Sequence, residues 1–215
     1  MAGRTLATEI LTADEMGSVE RAAKLLLSGQ LVAFPTDTVY GVGAPAFDAA
    51  SVAAIYVAKE RPPEKAIPVL IADAADLPRI ATAVPESARA LIARFWPGAL
   101  TLVLPKRPDV PEIVSSDATV AARIPDLDVT RALLRLTGPL AATSANRSGR
   151  PSPVTAAQVM AQLNGRIAAV LDGGPCLGGI PSTVVDCVAS PSRVLREGGI
   201  SIEALRAVLP DVEIV

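Results

Sequence analysis

The sequence predicts an α/β fold, in which helices flank a mixed β-sheet and one domain spans residues 1–215. Three observations lead to this prediction. Amphipathic helical patterns alternate along the chain with short apolar strand patterns, as they do in layered α/β proteins. The connections between them are short, and no repeat or linker divides the chain. Half of the 215 residues are hydrophobic, which suffices for a substantial buried core.

Capping residues and prolines set the bounds of the elements in the first half of the chain. Ser18 is a suitable N-cap for the first helix, and Gly29 is a suitable stop. The second helix must end before Pro62 and Pro63, because proline has no N–H group to donate within a helix. In order, the elements predicted here are helix 18–29, strand 31–34, helix 50–59, strand 67–72, helix 85–95 and strand 99–104.

The second half continues the alternation until two strands follow each other closely. The short connection between strands 182–188 and 193–197 indicates a hairpin, whose strands are antiparallel. The sheet is therefore expected to be mixed rather than purely parallel. The elements predicted here are strand 119–125, helix 128–136, strand 139–145, helix 155–163, strand 167–173, strand 182–188, strand 193–197 and helix 201–209.

Charge and hydropathy exclude several classes of function. The formal net charge is −2 and the pI is near 5.3, so no global positive field points to nucleic acid or an anionic membrane. The longest apolar runs have the length of strands, far below the roughly 20 residues of a membrane-spanning helix. The first residues, MAGRTLATEI, lack the apolar core of a signal peptide. A cytoplasmic protein with reduced, packed Cys176 and Cys187 is therefore expected.

The chain contains no histidine. This absence excludes Ser-His-Asp and Cys-His nucleophilic sites, phosphohistidine chemistry and histidine-ligated zinc. Catalysis must therefore depend on lysine, arginine, hydroxyls, carboxylates, backbone amides or a bound metal.

Polar residues follow the first predicted strand, and strand ends are where open α/β sheets bind ligands. Thr36, Asp37, Thr38 and Tyr40 stand there instead of further apolar residues. The letters GVGAPA fit a loose dinucleotide-binding pattern, but Pro45 interrupts the turn and no helix begins there, so a Rossmann site is not expected. Turn residues that bond only to their own backbone are the alternative.

Cations are placed where other elements end. Lys59, Arg61 and Lys65 surround the end of the second helix and predict a surface-accessible clamp for an anion, with a simple complement to the helix dipole as the alternative. Arg123, near the end of an apolar strand, must pair or reach solvent. It is a candidate carboxylate binder or one half of a structural salt bridge. A further cation, Arg196, ends the last strand.

Two loops rich in small polar residues and glycine follow later strands. The segment TSANRSGRPSP, at 143–153, has hydroxyls and an amide in a tight loop, which suits phosphate but is also common in ordinary turns. The segment LDGGPCLGGIPSTVVD, at 171–186, lacks the lysine of a phosphate-binding P-loop. Its glycines are therefore expected to let the backbone approach a ligand closely.

In this order, the segments PTDTVYGVG, KERPPEK, FWPGALTLVL, VAARIPD, TSANRSG, PSTVVD and LREGG closely resemble the YrdC family over roughly residues 31–199. The family signature pairs Lys-x-Arg with a distant Ser-x-Asn, here Lys59-x-Arg61 and Ser144-x-Asn146. The resemblance implies a twisted mixed sheet with flanking helices around a positively charged cavity. It also implies a short, single-domain threonylcarbamoyl-AMP synthase, which makes its product and pyrophosphate from L-threonine, bicarbonate and ATP for modification of the tRNA adenosine next to the anticodon.

Positions that match the family imply roles for individual residues. Those implied for L-threonine are Thr36, Arg123, Ala142 and Ser182. Those implied for ATP are Lys59, Arg61, Thr119, Ser144, Asn146, Ser152 and Arg196, with Lys59 and Arg61 also as catalytic residues. The carbamate formed on the substrate amine would attack the α-phosphorus of ATP, so the protein needs no nucleophile. No protein metal site is implied, and Mg²⁺ is expected to accompany ATP.

The resemblance also implies partners, and it leaves alternatives. The product would pass to a tRNA-modifying threonylcarbamoyl transferase complex, with a weak direct contact to RNA left open and no membrane contact. Many family members have a histidine where this chain has Leu70. The alternatives are a paralogous carbamoyl- or acyl-adenylate-forming enzyme and an RNA-binding module that uses the basic cavity. Few aromatic side chains are present to stack on bases, with three Phe, one Trp and two Tyr.

Overall fold

The computed structural model describes residues 7–215 and contains every helix and strand predicted above, with changed bounds. The helices are α1 (Ser18–Leu27), α2 (Ala49–Lys59), α3 (Glu86–Phe95), α4 (Asp128–Thr137), α5 (Ala156–Leu163) and α6 (Ile202–Arg206). The strands are β1 (Glu9–Thr12), β2 (Val32–Phe34), β3 (Gly41–Pro45), β4 (Val69–Leu70), β5 (Leu100–Pro105), β6 (Thr119–Arg123), β7 (Leu140–Ser144), β8 (Ala169–Asp172), β9 (Thr183–Asp186), β10 (Arg193–Arg196) and β11 (Glu213–Ile214). A 3₁₀ helix that the sequence did not predict spans Ala74–Arg79.

The eleven strands within residues 7–215 form one open, mixed sheet, in the order β1-β8-β2-β3-β7-β4-β6-β5-β9-β10-β11. The sheet contains parallel pairs, such as β2 with β8 and β5 with β9, and antiparallel pairs, such as β3 with β7. The predicted hairpin of β9 and β10 is antiparallel. The predicted mixed α/β fold is therefore confirmed.

Strands β1, β3 and β11 were not predicted. Edge strands β1 and β11 have only four and two residues, too few to show a pattern. Strand β3 runs through the glycines that were expected to form a turn, and it lies between β2 and β7. A Cβ atom on Gly43 would come within 3.1 Å of both the Phe34 ring and the Ala141 carbonyl oxygen. The glycines therefore allow close packing of a central strand, a use that periodicity does not reveal.

Two hydrophobic cores cover opposite faces of the sheet. Helices α1 and α4 pack together on one face, with Leu26, Phe34 and Leu133 fully buried between them and the strands. On the opposite face, the larger core includes Ile55 of α2 and Leu91 of α3, and α5 and α6 also contribute to it. Helix α1 contacts β1, β8, β2 and β3, the first four strands in the order of the sheet. The strands that follow in that order, from β7 to β9, have no comparable contact with α1 within residues 7–215.

Other expectations concerned the cysteines and the membrane. Cys176 and Cys187 are both buried and free, as predicted. No helix within residues 7–215 is long and apolar enough to cross a bilayer. The start of the chain, on which the expected absence of a signal peptide was based, lies in part outside the described residues.

Candidate functional site

A cavity of about 300 Å³ opens on the half of the sheet face that α1 does not cover. The alternation of side chains along each strand determines which residues form the floor of the cavity. Val120 and Ala122 of β6 point into the core on the opposite face, so Ala121 and Arg123 point into the cavity. Strands β3, β4, β5, β7 and β9 also contribute. The lining residues are Thr36, Thr38, Val39, Gly41, Arg61, Ala66, Pro68, Leu70, Thr101, Ala121, Arg123, Ala142, Thr143, Ser144, Ser152, Pro181, Ser182, Val184 and Arg196.

Most of the predicted site residues meet in this one cavity. Those in its lining are Thr36, Arg61, Arg123, Ala142, Ser144, Ser152, Ser182 and Arg196. Lys59, Thr119 and Asn146 do not belong to the lining. The structure therefore brings these eight residues together, and the ligand bound by each stays a prediction.

Three arginines give the cavity its charge, and no carboxylate belongs to the lining as far as the chain is described, from residue 7 to 215. Burial lowers the pKa of Arg61, Arg123 and Arg196. The charge of Arg123 lowers the pKa of Arg196 further, because two like charges repel. An anion bound between these guanidinium groups would counteract both the burial of the charges and their mutual repulsion. The positively charged cavity that the resemblance implied is present.

Arg123 is held by three directed hydrogen bonds. Its Nε donates to the Gly98 carbonyl at 2.9 Å, its Nη1 to Thr38 Oγ1 at 2.9 Å, and its Nη2 to Asp37 Oδ1 at 2.6 Å. A guanidinium has five N–H groups, so two remain for a ligand. The salt-bridge alternative is therefore realised with Asp37, and because Arg123 also lines the cavity, its role as a carboxylate binder stays a prediction.

Asp37 fixes the orientation of Arg123 and was not among the predicted site residues. Its Oδ1 also accepts from the backbone N–H of Asp126 at 3.1 Å, which holds the carboxylate in place. The sequence signal was a lone carboxylate among hydroxyls at a strand end. Its partner is 86 residues away, so the sequence alone could not identify the pair.

The hydroxyl of Thr36 is used within its own turn. It donates to the Val39 carbonyl at 2.7 Å and accepts from the backbone N–H groups of Thr38 and Val39. The turn alternative is therefore realised here. Thr36 still lines the cavity, but its single proton is occupied, so this hydroxyl has no proton to donate to a ligand.

Ser182, Thr101 and Arg196 form a connected group on the opposite side. The hydroxyls of Thr101 and Ser182 lie 2.7 Å apart, and Arg196 donates to the Ser182 carbonyl from Nε at 3.1 Å and from Nη2 at 2.7 Å. Thr101 was missed by the sequence analysis. Its signal was a hydroxyl between Leu100 and Leu102, both of which are in the opposite core. Alternation alone could have placed it on the cavity face.

Lys59 is not surface-accessible, so that prediction is wrong. Its side chain is 1% exposed, and its Nζ donates to the backbone carbonyls of Ser144 and Asn146. These carbonyls belong to a loop more than 80 residues away, so the sequence could not show that the amine has partners inside. Burial, with repulsion from Arg61 as a second cause, lowers the pKa of Lys59 to about 7.

The last two expectations concern Thr119 and a metal. Thr119 is half-buried at the start of β6, and its contact with ATP stays a prediction.

Within residues 7–215, no three Cys, Asp or Glu side chains are close enough together to hold a metal ion. The cavity contains threonine and serine hydroxyls, which are oxygen donors that Mg²⁺ accepts when most other ligands are phosphates and water.

Comparison with known proteins places these residues in context. The family model for Sua5, YciO and YrdC, described as "Telomere recombination", matches residues 24–198. The threonylcarbamoyl-AMP synthase of Bacillus subtilis (strain 168) is 46% identical over 199 residues, which cover 91% of this chain and 58% of that protein. The putative threonylcarbamoyl-AMP synthase of Mycobacterium tuberculosis (strain ATCC 25618 / H37Rv) is 42% identical over 189 residues, 87% of either chain.

A solved structure is also similar. The crystal structure of P. abyssi Sua5 complexed with L-threonine has a TM-score of 0.92 and 40% identity, and the match covers 98% of this chain and 62% of that one. The chain spans 58% and 59% of the length of the B. subtilis and P. abyssi relatives. The similarity therefore concerns one portion of those longer proteins.

Proposed function

The chain belongs to the Sua5/YciO/YrdC family, and on this premise we propose that it is a threonylcarbamoyl-AMP synthase. The observation that carries the proposal is one cavity in which three arginines and several hydroxyls converge on a sheet face. Such a site suits two anionic substrates held side by side. The relative from P. abyssi, whose structure was solved with L-threonine, supports an amino acid as one of them.

The lining residues would divide between two substrates, which would meet near the hydrogen-bonded Ser182 and Arg196. Arg123, with two N–H groups left over, would hold the carboxylate of L-threonine beside Thr36, Ala142 and Ser182. The triphosphate of ATP would lie on the remaining charged and hydroxyl groups, which are Arg61, Arg196, Ser144 and Ser152. This arrangement brings the amine of threonine close to the α-phosphorus.

The proposed reaction has two bond-forming steps. The threonine amine loses a proton and bonds to CO₂, which is in equilibrium with bicarbonate, to give a carbamate. A carbamate oxygen then bonds to the α-phosphorus while the bond to the β-phosphate oxygen breaks, and pyrophosphate leaves. The substrate supplies the nucleophile, so the enzyme contributes positioning and stabilisation of charge. This explains how a chain without histidine catalyses the reaction.

Mg²⁺ is proposed to arrive bound to ATP. It would neutralise charge on the phosphates as pyrophosphate leaves. Within residues 7–215 the acidic side chains form no cluster for it, so phosphate oxygens and water would be its main ligands.

The proposal extends to the role of the product. We propose that residues 1–215 act as one catalytic domain in the cytoplasm, and that threonylcarbamoyl-AMP passes to a tRNA-modifying threonylcarbamoyl transferase complex. A weak contact with RNA belongs to the same proposal. The names of the relatives support the product, and the partners follow from its use in tRNA modification.

The proposed function is tested by the requirements for pyrophosphate release. Release from ATP is expected only when L-threonine and bicarbonate are both present, because the carbamate is the nucleophile. The measurement is a coupled pyrophosphate assay in buffer depleted of CO₂, with and without added bicarbonate. Equal release without bicarbonate would indicate an ordinary aminoacyl-adenylate enzyme instead.

Selection among amino acids is a second expected result. We expect clear preference for L-threonine over valine, because a site that bonds a hydroxyl rejects an analogue without one. Serine keeps the hydroxyl and loses one methyl, so its kcat/KM should be lower by roughly 10- to 200-fold. The hydroxyls of Thr101 and Ser182 can form a hydrogen bond with the hydroxyl of the substrate, whereas Leu70 adds apolar surface to the lining. Comparable kcat/KM values for valine and threonine would show that the hydroxyl is not read.

A further inference from the structure

The buried amine of Lys59 is hydrogen-bonded to residues 144–152, a segment that begins at the last residue of β7, reaches the cavity and is here called the loop. Lys59 is the last residue of α2, and its Nζ donates to two carbonyls of one loop, those of Ser144 and Asn146. The loop returns a contact, because the Ser148 N–H donates to the Lys59 carbonyl at 2.8 Å. The side-chain amine and the backbone carbonyl of Lys59 are therefore both hydrogen-bonded to the same loop.

One further ion pair joins the end of α2 to the loop, and bonds within the loop fix its shape. Glu60, directly after Lys59, pairs with Arg147 of the loop and with Arg166, the latter at 2.8 Å. Within the loop, Nδ2 of Asn146 donates to the carbonyls of Arg147 and Arg150 at 2.9 and 2.8 Å. The loop thus has a defined shape and a defined attachment to α2.

The other side of this loop faces the cavity. Ser144 and Ser152, at its two ends, line the cavity, whereas Lys59 and Asn146 do not. We propose that Lys59 is a positioning residue, which acts on bound ATP through the loop of residues 144–152 and does not touch ATP itself. This inference rests on the proposed function for its ligand, and on the observed contacts for its geometry.

The charge of Lys59 is not needed for this role. Burial lowers the pKa of its amine to about 7, so near neutral pH a part of the molecules contains the uncharged amine. Both forms have enough protons for two carbonyls, since the ammonium has three and the neutral amine has two. Arg61, two residues further on, belongs to the lining and presents its charge to the cavity. In the Lys-x-Arg pair, Lys59 therefore holds the loop, and Arg61 would bind the ligand.

Amine labelling of the wild-type protein tests whether Lys59 reaches ATP. A lysine acylation reagent, read out by peptide mass spectrometry, should modify the exposed Lys65 and leave Lys59 unmodified, with or without ATP. Lys65 is a matched control, because it lies in the same segment. Labelling of Lys59 in the free protein that ATP suppresses would mean direct contact and would overturn the inference.

A double-mutant cycle tests whether Lys59 acts through the loop. Binding of ATP, measured by calorimetry without threonine or bicarbonate, should weaken by up to about 100-fold in Lys59→Met, because Ser152 and Ser144, whose hydroxyl donates to Asn146 Oδ1, are displaced from the cavity lining. The loss should shrink strongly when Ser144→Ala and Ser152→Ala are already present. Combination with Arg196→Ala is the control, because Arg196 lines the cavity but bonds to Ser182 and not to this loop, and there the two losses should multiply within about 2-fold.

The outcomes separate the inference from the proposed function. Losses that multiply fully with the two serine variants, in a wild type that binds ATP, would overturn the positioning role alone. A correctly folded wild type that binds no ATP would overturn the proposed function itself. L-threonine binding should stay unchanged in Lys59→Met, because the Arg123 side of the cavity has no contact with this loop's carbonyls.

Discussion

Formation of threonylcarbamoyl-AMP by the Arg61→Ala variant is expected to fall by about 10²–10³-fold, the range found when one group that stabilises transition-state charge is removed. Arg61 lines the cavity, and its N–H groups donate within the protein only to the carbonyls of Lys65 and Ala66 among the described residues. These carbonyls lie in an exposed segment, so water can replace the guanidinium. The measurement is kcat/KM for pyrophosphate release, together with the melting temperature.

The fold of this variant should be unchanged, since Arg61 fills no core volume and forms no ion pair in residues 7–215. Arg107→Ala is a matched control, because Arg107 pairs with Asp109 on the surface, away from the cavity, and should leave activity at the wild-type level. Near-wild-type turnover by Arg61→Ala would remove the main support for phosphate binding at this side of the cavity.

Replacement of Arg123 by alanine is expected to affect both stability and activity. The half-buried carboxylate of Asp37 would lose its partner at 2.6 Å, and the free energy of unfolding should drop by up to about 3 kcal/mol. Turnover of L-threonine should be lost as well, because the two N–H groups proposed for its carboxylate are removed. Chemical denaturation and the pyrophosphate assay measure the two effects.

A second variant separates these effects. Asp37→Asn combined with Arg123→Met removes both charges, so the double variant should regain much of the lost stability. It should still fail to turn over L-threonine, because no guanidinium is present. Recovery of threonine turnover together with stability would show that the pair is a structural salt bridge and nothing more.

The sequence was informative where local chemistry determines the structure. Gly29, predicted to stop α1, follows its C-cap Ser28 with a φ of 83°, and the prolines after Arg61 follow the end of α2. The prediction of Ser18 as N-cap is wrong, because Gly17 occupies the cap position and no side chain caps the helix. Arg123 and Ser144 end strands that run in opposite directions, so the shared face of the sheet, and not a shared edge, brings them to one cavity. Arg123 could be selected because a charge in an apolar strand requires a partner.

The sequence was uninformative where distant groups decide. The glycines of β3 look like a turn, and only their position between two neighbouring strands makes them a strand. Lys59 looks like a surface cation, and only the carbonyls of Ser144 and Asn146 make its burial possible. Both cases depend on a partner whose position is set by tertiary structure. Thr36 differs, because its hydroxyl bonds Val39 within its own turn, and the sequence already offered that alternative.

The identity of the product tests the central claim most directly. Incubation of the protein with ATP, L-threonine and ¹³C-bicarbonate should give a nucleotide whose mass equals that of threonylcarbamoyl-AMP with one heavy carbon. Fragmentation in the mass spectrometer should place that carbon between the threonine nitrogen and the phosphate. A threonine adenylate without the heavy carbon, or no adenylate at all from folded protein, would contradict the proposed function.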